Sequence, residues 1–124
     1  KYILQFDGID TIADIYLNGS LLAHTENMLR GYEFEVGEEL LNKGDNELLV
    51  HIIPVSLEAR KYDNPLFQNG LKYEMDSLNI RKSPYMYGWD IFPRMLSGGI
   101  WKSVRIFNKP DFRFIQSYLF MRLI

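Results

Sequence analysis

The 124-residue chain contains no cysteine, which excludes disulfide frameworks, thiolate nucleophiles and Cys-rich zinc sites together. An excess of charge of either sign is also missing. Fourteen Lys and Arg stand against sixteen Asp and Glu, a net charge of −2 with a pI near 5.7. No basic face is large enough to hold a phosphate backbone, so nucleic acid is not an expected partner. Histidine is scarce, with two residues, His24 and His51. No apolar run approaches the roughly 18–20 residues of a membrane span, so no membrane partner is expected. Residues 1–6 run straight into Asp7-Gly8, unlike a signal peptide, and any targeting signal is expected upstream. Length excludes a (β/α)₈ barrel, which needs roughly 250 residues.

What is present is an ordinary globular composition, 47% hydrophobic and 24% charged, enough to bury one domain core. The ends read as cut. The chain opens on an apolar strand and closes on Ser117-Tyr118-Leu119-Phe120-Met121-Arg122-Leu123-Ile124, a β-prone stretch hazardous if unpaired. A segment of a longer polypeptide is expected; the alternative is a small complete domain whose terminal strands pair within its own sheet.

Residues 2–6 and 11–17 are rich in β-branched and aromatic types and predict two strands. Asn18-Gly19 supplies the two left-handed residues of a type I′ turn, so residues 20–24 should fold back on 12–17. Tyr32, Phe34 and Val36 alternate with Glu33 and Glu35, which predicts a strand with one wet face. Glu38–Asn42 allows one helical turn, and 47–53 is apolar on both faces, which predicts a central strand. Four of the five prolines, Pro54, Pro65, Pro84 and Pro93, fall between 54 and 99. That stretch has no sustained period, only room for short helices near 59–61 and 71–78, and loops of such length are usually functional. Strand character returns at 100–107 and, after Pro110, at 112–121. Short strands with turn chemistry between them and almost no helix predict an all-β sandwich.

The isolated chemical signals are weak. His24 and His51 have no Ser or Cys motif beside them and read as structural. Glu33 and Glu35 share a strand face at about 7 Å, but their alternation with aromatics already explains them as a solvated face. Asn18-Gly19-Ser20 is formally a glycosylation acceptor, although its turn role suffices. The informative stretch is 85–101, where aromatics, Asp90, Arg94 and several glycines feed a strand. Saccharide sites need an aromatic face for the C–H side of a sugar ring and planar carboxylates or amides for vicinal hydroxyls. On composition alone, a core-packed loop with Trp89 as anchor stands slightly ahead.

Four dispersed motifs add a resemblance. Gly88-Trp89-Asp90, Pro93-Arg94 and Ser97-Gly98-Gly99-Ile100-Trp101 are similar to the signature closing the N-terminal jelly-roll domain of glycoside hydrolase family 2, closest to its β-mannosidase branch. Phe6-Asp7-Gly8-Ile9-Asp10-Thr11 through Leu17-Asn18-Gly19 resembles the family's hairpin, Glu26-Asn27-Met28-Leu29-Arg30 its Asn-Met-Phe-Arg segment, and Gly44-Asp45-Asn46-Glu47-Leu48 its Gly-x-Asn-x-Leu turn. The matches cover residues 3–107 in order. Ile91-Phe92 depart from the usual Trp-Gly.

The resemblance implies an all-β, galactose-binding-like jelly-roll β-sandwich with a long irregular loop over about residues 54–99, truncated at both ends. Residues 1–109 would be the sugar-binding domain without its first strands, and 110–124 a linker and the start of an immunoglobulin-like domain. No catalytic residue is expected here, because the family's two glutamates lie on a separate barrel, about 5–5.5 Å apart for retaining chemistry. The implied partners are a terminal β-linked, mannoside-like sugar and the catalytic barrel of the same parent chain. By position Asp90 would accept hydrogen bonds from sugar hydroxyls, Trp89 would wall the pocket, and Asn27 would be a second polar contributor. In the β-galactosidase branch the aspartate also helps hold a sodium ion; for the mannosidase-like Trp89-Asp90 pair neither metal nor cofactor is expected. A periplasmic, secreted or lysosomal parent fits. Two other readings use the same residues: an autonomous carbohydrate-binding module or lectin, and a structural sandwich that docks neighbouring domains.

Overall fold

The structure is a computed structural model and describes residues 1–62, 76–114 and 116–122. β1 (Tyr2–Phe6) lies between β5 (Tyr32–Val36) and β8 (Val104–Asn108), antiparallel to both, as one three-stranded sheet. A second sheet places β3 (Ile12–Leu17) between β4 (Ser20–Glu26) and β6 (Leu48–Ile53), again antiparallel. A two-stranded ribbon joins β2 (Ile9–Asp10) to β7 (Gly99–Ile100). The Asn18-Gly19 hairpin forms as its sequence requires, with φ of 50° and 79°.

Alternation decides which side chains go inside. Leu4, Phe6 and Val36 from the first sheet meet Ala13, Ile15 and Leu17 from the second, with Ile9 between, in one continuous core. Phe6, Ile9, Ile15 and Val36 are fully buried, each contributing about 1.5–3 kcal/mol by removal from water. The architecture is therefore the expected all-β sandwich.

Three details differ from the sequence expectation. The strand predicted over 11–17 begins earlier and is interrupted, because Asp10 and Thr11 turn inward. The strand predicted over 100–107 breaks at 101–103: Ser103 O accepts from Asp7 N at 2.9 Å and Trp101 N donates to Gly8 O at 3.2 Å. Gly8 fits only as glycine, since a Cβ there would lie 2.6 Å from the Trp101 indole nitrogen. β6 is an edge strand, not a central one. Its Val50 and Ile52 pack on the core and Leu48, on the same face, lines a cleft of about 560 Å³ that runs to β8, while Leu49 is exposed on the opposite face.

Among the described residues between β6 and β7, the regular elements are short: α1 (Val55–Ala59), α2 (Asp76–Asn79) and a 3₁₀ turn at Pro84–Tyr87. α1 falls close to the short helix expected near 59–61. Of the turn expected over 71–78, residues 71–75 lie outside the described residues, and α2 overlaps the remainder. Val55 and Ala59, one helical turn apart, join Ile12 and Ile80 in a second small core that also receives Ile53 and Leu96. This cluster fixes both flanks of the long connection to the second sheet. Beyond β8 the strand expected over 112–121 is a further expectation not met: the described residues 109–114 and 116–122 form no strand, and Phe112, Phe114, Tyr118, Phe120 and Met121 are exposed because no neighbouring strand pairs with them.

Candidate functional site: a clamped finger

Residues 82–97 form a finger closed by nested contacts. At its base Lys82 Nζ donates to Ser97 O at 2.9 Å. Halfway up, Met95 N donates to Met86 O at 3.0 Å. At the tip Trp89 and Phe92 exchange backbone hydrogen bonds of 2.9 and 3.0 Å, leaving Asp90 and Ile91 as the turn. The 3₁₀ turn ends at Gly88, whose φ of +109° redirects the chain in a way a side chain resists.

Packing stiffens the finger along its length. Tyr85 meets Phe92 edge to face at 6.2 Å. The Arg94 guanidinium lies 5.3 Å from the centre of the buried Tyr87 ring and bonds Asp76 of α2 at 2.8 Å. Burial pushes the Tyr87 hydroxyl up to about 12, the Asp76 charge adds to this and Arg94 opposes it. That hydroxyl has no hydrogen-bond partner among the described residues.

The base is held by a buried carboxylate. Lys82 is wholly enclosed, with 0% of its side chain exposed, and pairs with Asp10, 5% exposed, at the end of β2. Ser97 Oγ donates to the same carboxylate at 2.7 Å and Thr11 Oγ1 donates to its other oxygen. Desolvation works to raise the Asp10 pKa, but the hydrogen bonds from Lys82, Thr11 and Ser97, with the Lys82 charge, outweigh it and hold the carboxyl below its ordinary 3.8.

Trp89 is 75% exposed, and Asp90 is exposed with no hydrogen bond or ion pair among the described residues. The core-anchor reading of Trp89 is thereby replaced by a surface one. Asn27 follows β4 on a separate loop. Its Oδ1 accepts from Leu29 N at 2.9 Å, its backbone groups bond Tyr32 Oη, and its amide Nδ2 has no partner among the described residues. The loop is laced to the start of the finger, with Asn27 bridged to Arg81, Met28 N bonded to Arg81 O at 3.0 Å, and Ser83 N donating to the Met28 sulfur at 3.1 Å. Trp89 and Asp90 thus share the tip, while Asn27 belongs to the neighbouring loop at the base. Lys82 and Asp10 were not singled out from sequence, because nothing local to either residue signals a pairing made 72 positions apart.

Most of the weaker sequence candidates have structural employment; His51, exposed on β6 opposite Asp14, makes no side-chain hydrogen bond among the described residues. His24 Nδ1 bonds Asp14 Oδ1 at 2.6 Å across the β3–β4 pair. Glu33 and Glu35 pair with Arg113 and Lys109, and both carboxyls are lowered, first by the hydrogen bonds from those partners. The Asn18 amide donates to Leu40 O at 2.7 Å and Asn46 Oδ1 at 2.8 Å, so a turn role occupies the formal glycosylation site. No group of three or more His, Asp or Glu placed to hold a metal occurs among the described residues.

Antiparallel sheets packed as a β-sandwich with little helix are the architecture of a galactose-binding-like domain. The chain belongs to the family described as glycosyl hydrolase 2 galactose-binding domain-like, which it matches over residues 1–102. It is 33% identical over 106 residues to a β-mannosidase B of Aspergillus clavatus, covering 83% of this chain and 12% of that protein. A β-mannosidase B of Aspergillus terreus is also 33% identical, with 84% and 13% covered. Among solved structures, the β-D-mannosidase of Dictyoglomus thermophilum superposes with a TM-score of 0.74 at 40% identity, covering 86% of this chain and 13% of that one. The chain therefore spans about an eighth of the length of these relatives.

Proposed function

We propose that this domain is a non-catalytic wall of the terminal-sugar subsite in a β-mannosidase-like glycosidase, whose catalytic barrel belongs to the same parent chain. Asp90 accepts hydrogen bonds from sugar hydroxyls, Trp89 walls the pocket and the Asn27 amide is a second polar contributor. The observation that carries this reading is the finger tip. An exposed carboxylate sits beside an exposed indole on a hydrogen-bonded support, with no partner among the described residues. Such a carboxylate is free to take charge-assisted bonds from vicinal hydroxyls. The likeness to three β-mannosidases supports mannose as the sugar. Residues 110–124 are then the passage into a following domain of immunoglobulin type.

The test is Asp90→Ala in the full-length enzyme with an aryl β-mannoside. Loss of a charge-assisted bond worth about 1.5–3 kcal/mol lowers kcat/KM by roughly tenfold or more. An unchanged value sinks the assignment. The exposed Trp89 face also suits an autonomous carbohydrate-binding module, and calorimetry of the isolated domain with mannose and mannobiose separates the two. A half-site completed by another domain binds neither sugar measurably, whereas a module shows at least millimolar affinity, about −4 kcal/mol.

A further inference from the structure

We infer that Lys82, locked on Asp10, is a positioning residue for the finger tip. This rests on the reading of Asp90 as a sugar contact and adds the device that sets its place. Three observations carry it. The Lys82 ammonium lies at the base of one arm of the finger and donates to Ser97 O at the base of the other, so one group ties both arms. Asp10 receives the Lys82 ammonium and, at 2.7 Å, the Ser97 hydroxyl, so both arms also end on one carboxylate. That carboxylate belongs to β2, which pairs with β7 immediately after the finger. Chain entry, chain exit and sandwich therefore meet at a single buried point.

A fully enclosed ammonium is a costly device for stability alone, since apolar side chains of similar volume often serve as well. What the ion pair adds is direction. Apolar packing tolerates sliding, whereas Lys82 and Asp10 accept only arrangements in which their hydrogen bonds are made. The nested contacts at 86/95 and 89/92 carry that fixed base to the tip. A small rotation at the base moves Asp90 away from its hydroxyls, because hydrogen bonds weaken steeply with angle.

The test is a double-mutant cycle in the full-length enzyme. The paired replacement Asp10→Leu with Lys82→Met fills the cavity with apolar groups and removes the directional contacts. Asp90→Ala is measured in the native background and in this one. The inference expects Asp90→Ala to lower kcat/KM at least tenfold in the native background and less than twofold in the Leu-Met background, because there Asp90 is already out of place. A merely structural pair leaves the Asp90 effect the same size in both, and that result overturns the inference. Should Asp90→Ala be silent in the native background, the sugar-contact reading fails first and takes the inference with it, a pattern distinct from equal losses in both. Ser97→Ala covers the case in which the paired variant does not fold. Amide hydrogen exchange of residues 84–96 should quicken at least tenfold while β1 and β3 keep their protection; unchanged exchange in the finger overturns the proposal.

Discussion

Asp10 shows how much one carboxylate can organise. It is enclosed, ion-paired with Lys82 and hydrogen-bonded by Thr11 and Ser97. Its pKa is set by burial acting upward and by these three partners acting downward more strongly, to a value below 3.8. A carboxyl whose folded pKa is depressed stabilises the native state above its unfolded value, and that stabilisation is lost as pH falls through the folded value. Asp10→Asn leaves the Lys82 charge buried without its counter-charge and should cost about 3–5 kcal/mol near neutral pH. The gap between native and variant should narrow as pH falls below 3.8. Denaturant unfolding of both proteins across that range checks the sign: a gap that holds constant contradicts the assignment.

At the scale of elements, the hairpins were legible because their signals are local. Asn18-Gly19 is one such signal, and the structure adds why the asparagine comes first. Its side chain reaches Leu40 O and Asn46 Oδ1, and its Oδ1 accepts from Glu47 N at 2.9 Å. The turn is thereby fastened to the connection that leads into β6. Gly19→Ala forces a Cβ into a φ of 79° and should cost about 1–2 kcal/mol, read as a lower thermal midpoint with the same fold by circular dichroism. The edge position of β6 was illegible for a different reason. Two apolar faces report that a strand is covered, not which of its backbone edges is bonded. Leu48 borders the β6–β8 cleft and Leu49 adds apolarity to the other, exposed face, while Val50 and Ile52 supply the core. The finger was legible in part. Its tip residues carry a recognisable pattern, but Lys82 sits in a stretch with no period, and its burial depends on a partner at the other end of the domain.

At the scale of the whole molecule, the two sheets each leave an edge strand, β6 and β8, facing the same cleft. Leu49 is 54% and Ile106 53% exposed along those edges. Unpaired apolar edges template association. The 124-residue chain on its own should therefore self-associate with rising concentration, and Leu49→Lys with Ile106→Lys should shift it toward monomer in sedimentation velocity. Equal association of both proteins would place the sticky surface elsewhere. The finger is the opposite kind of feature. Its base belongs to the interior, yet Ile91 at its tip is 94% exposed and carries no packing duty. If the tip meets the sugar as proposed, folding and recognition fall to different residues of one segment. Under the proposed reading, a lineage could change residues 90 and 91, and with them the sugar contacts, at almost no cost in stability. Any change at Asp10 or Lys82 would be met by folding first. The departure at Ile91 lies on the side of that divide where novelty is cheap, whereas Phe92 is held by Tyr85.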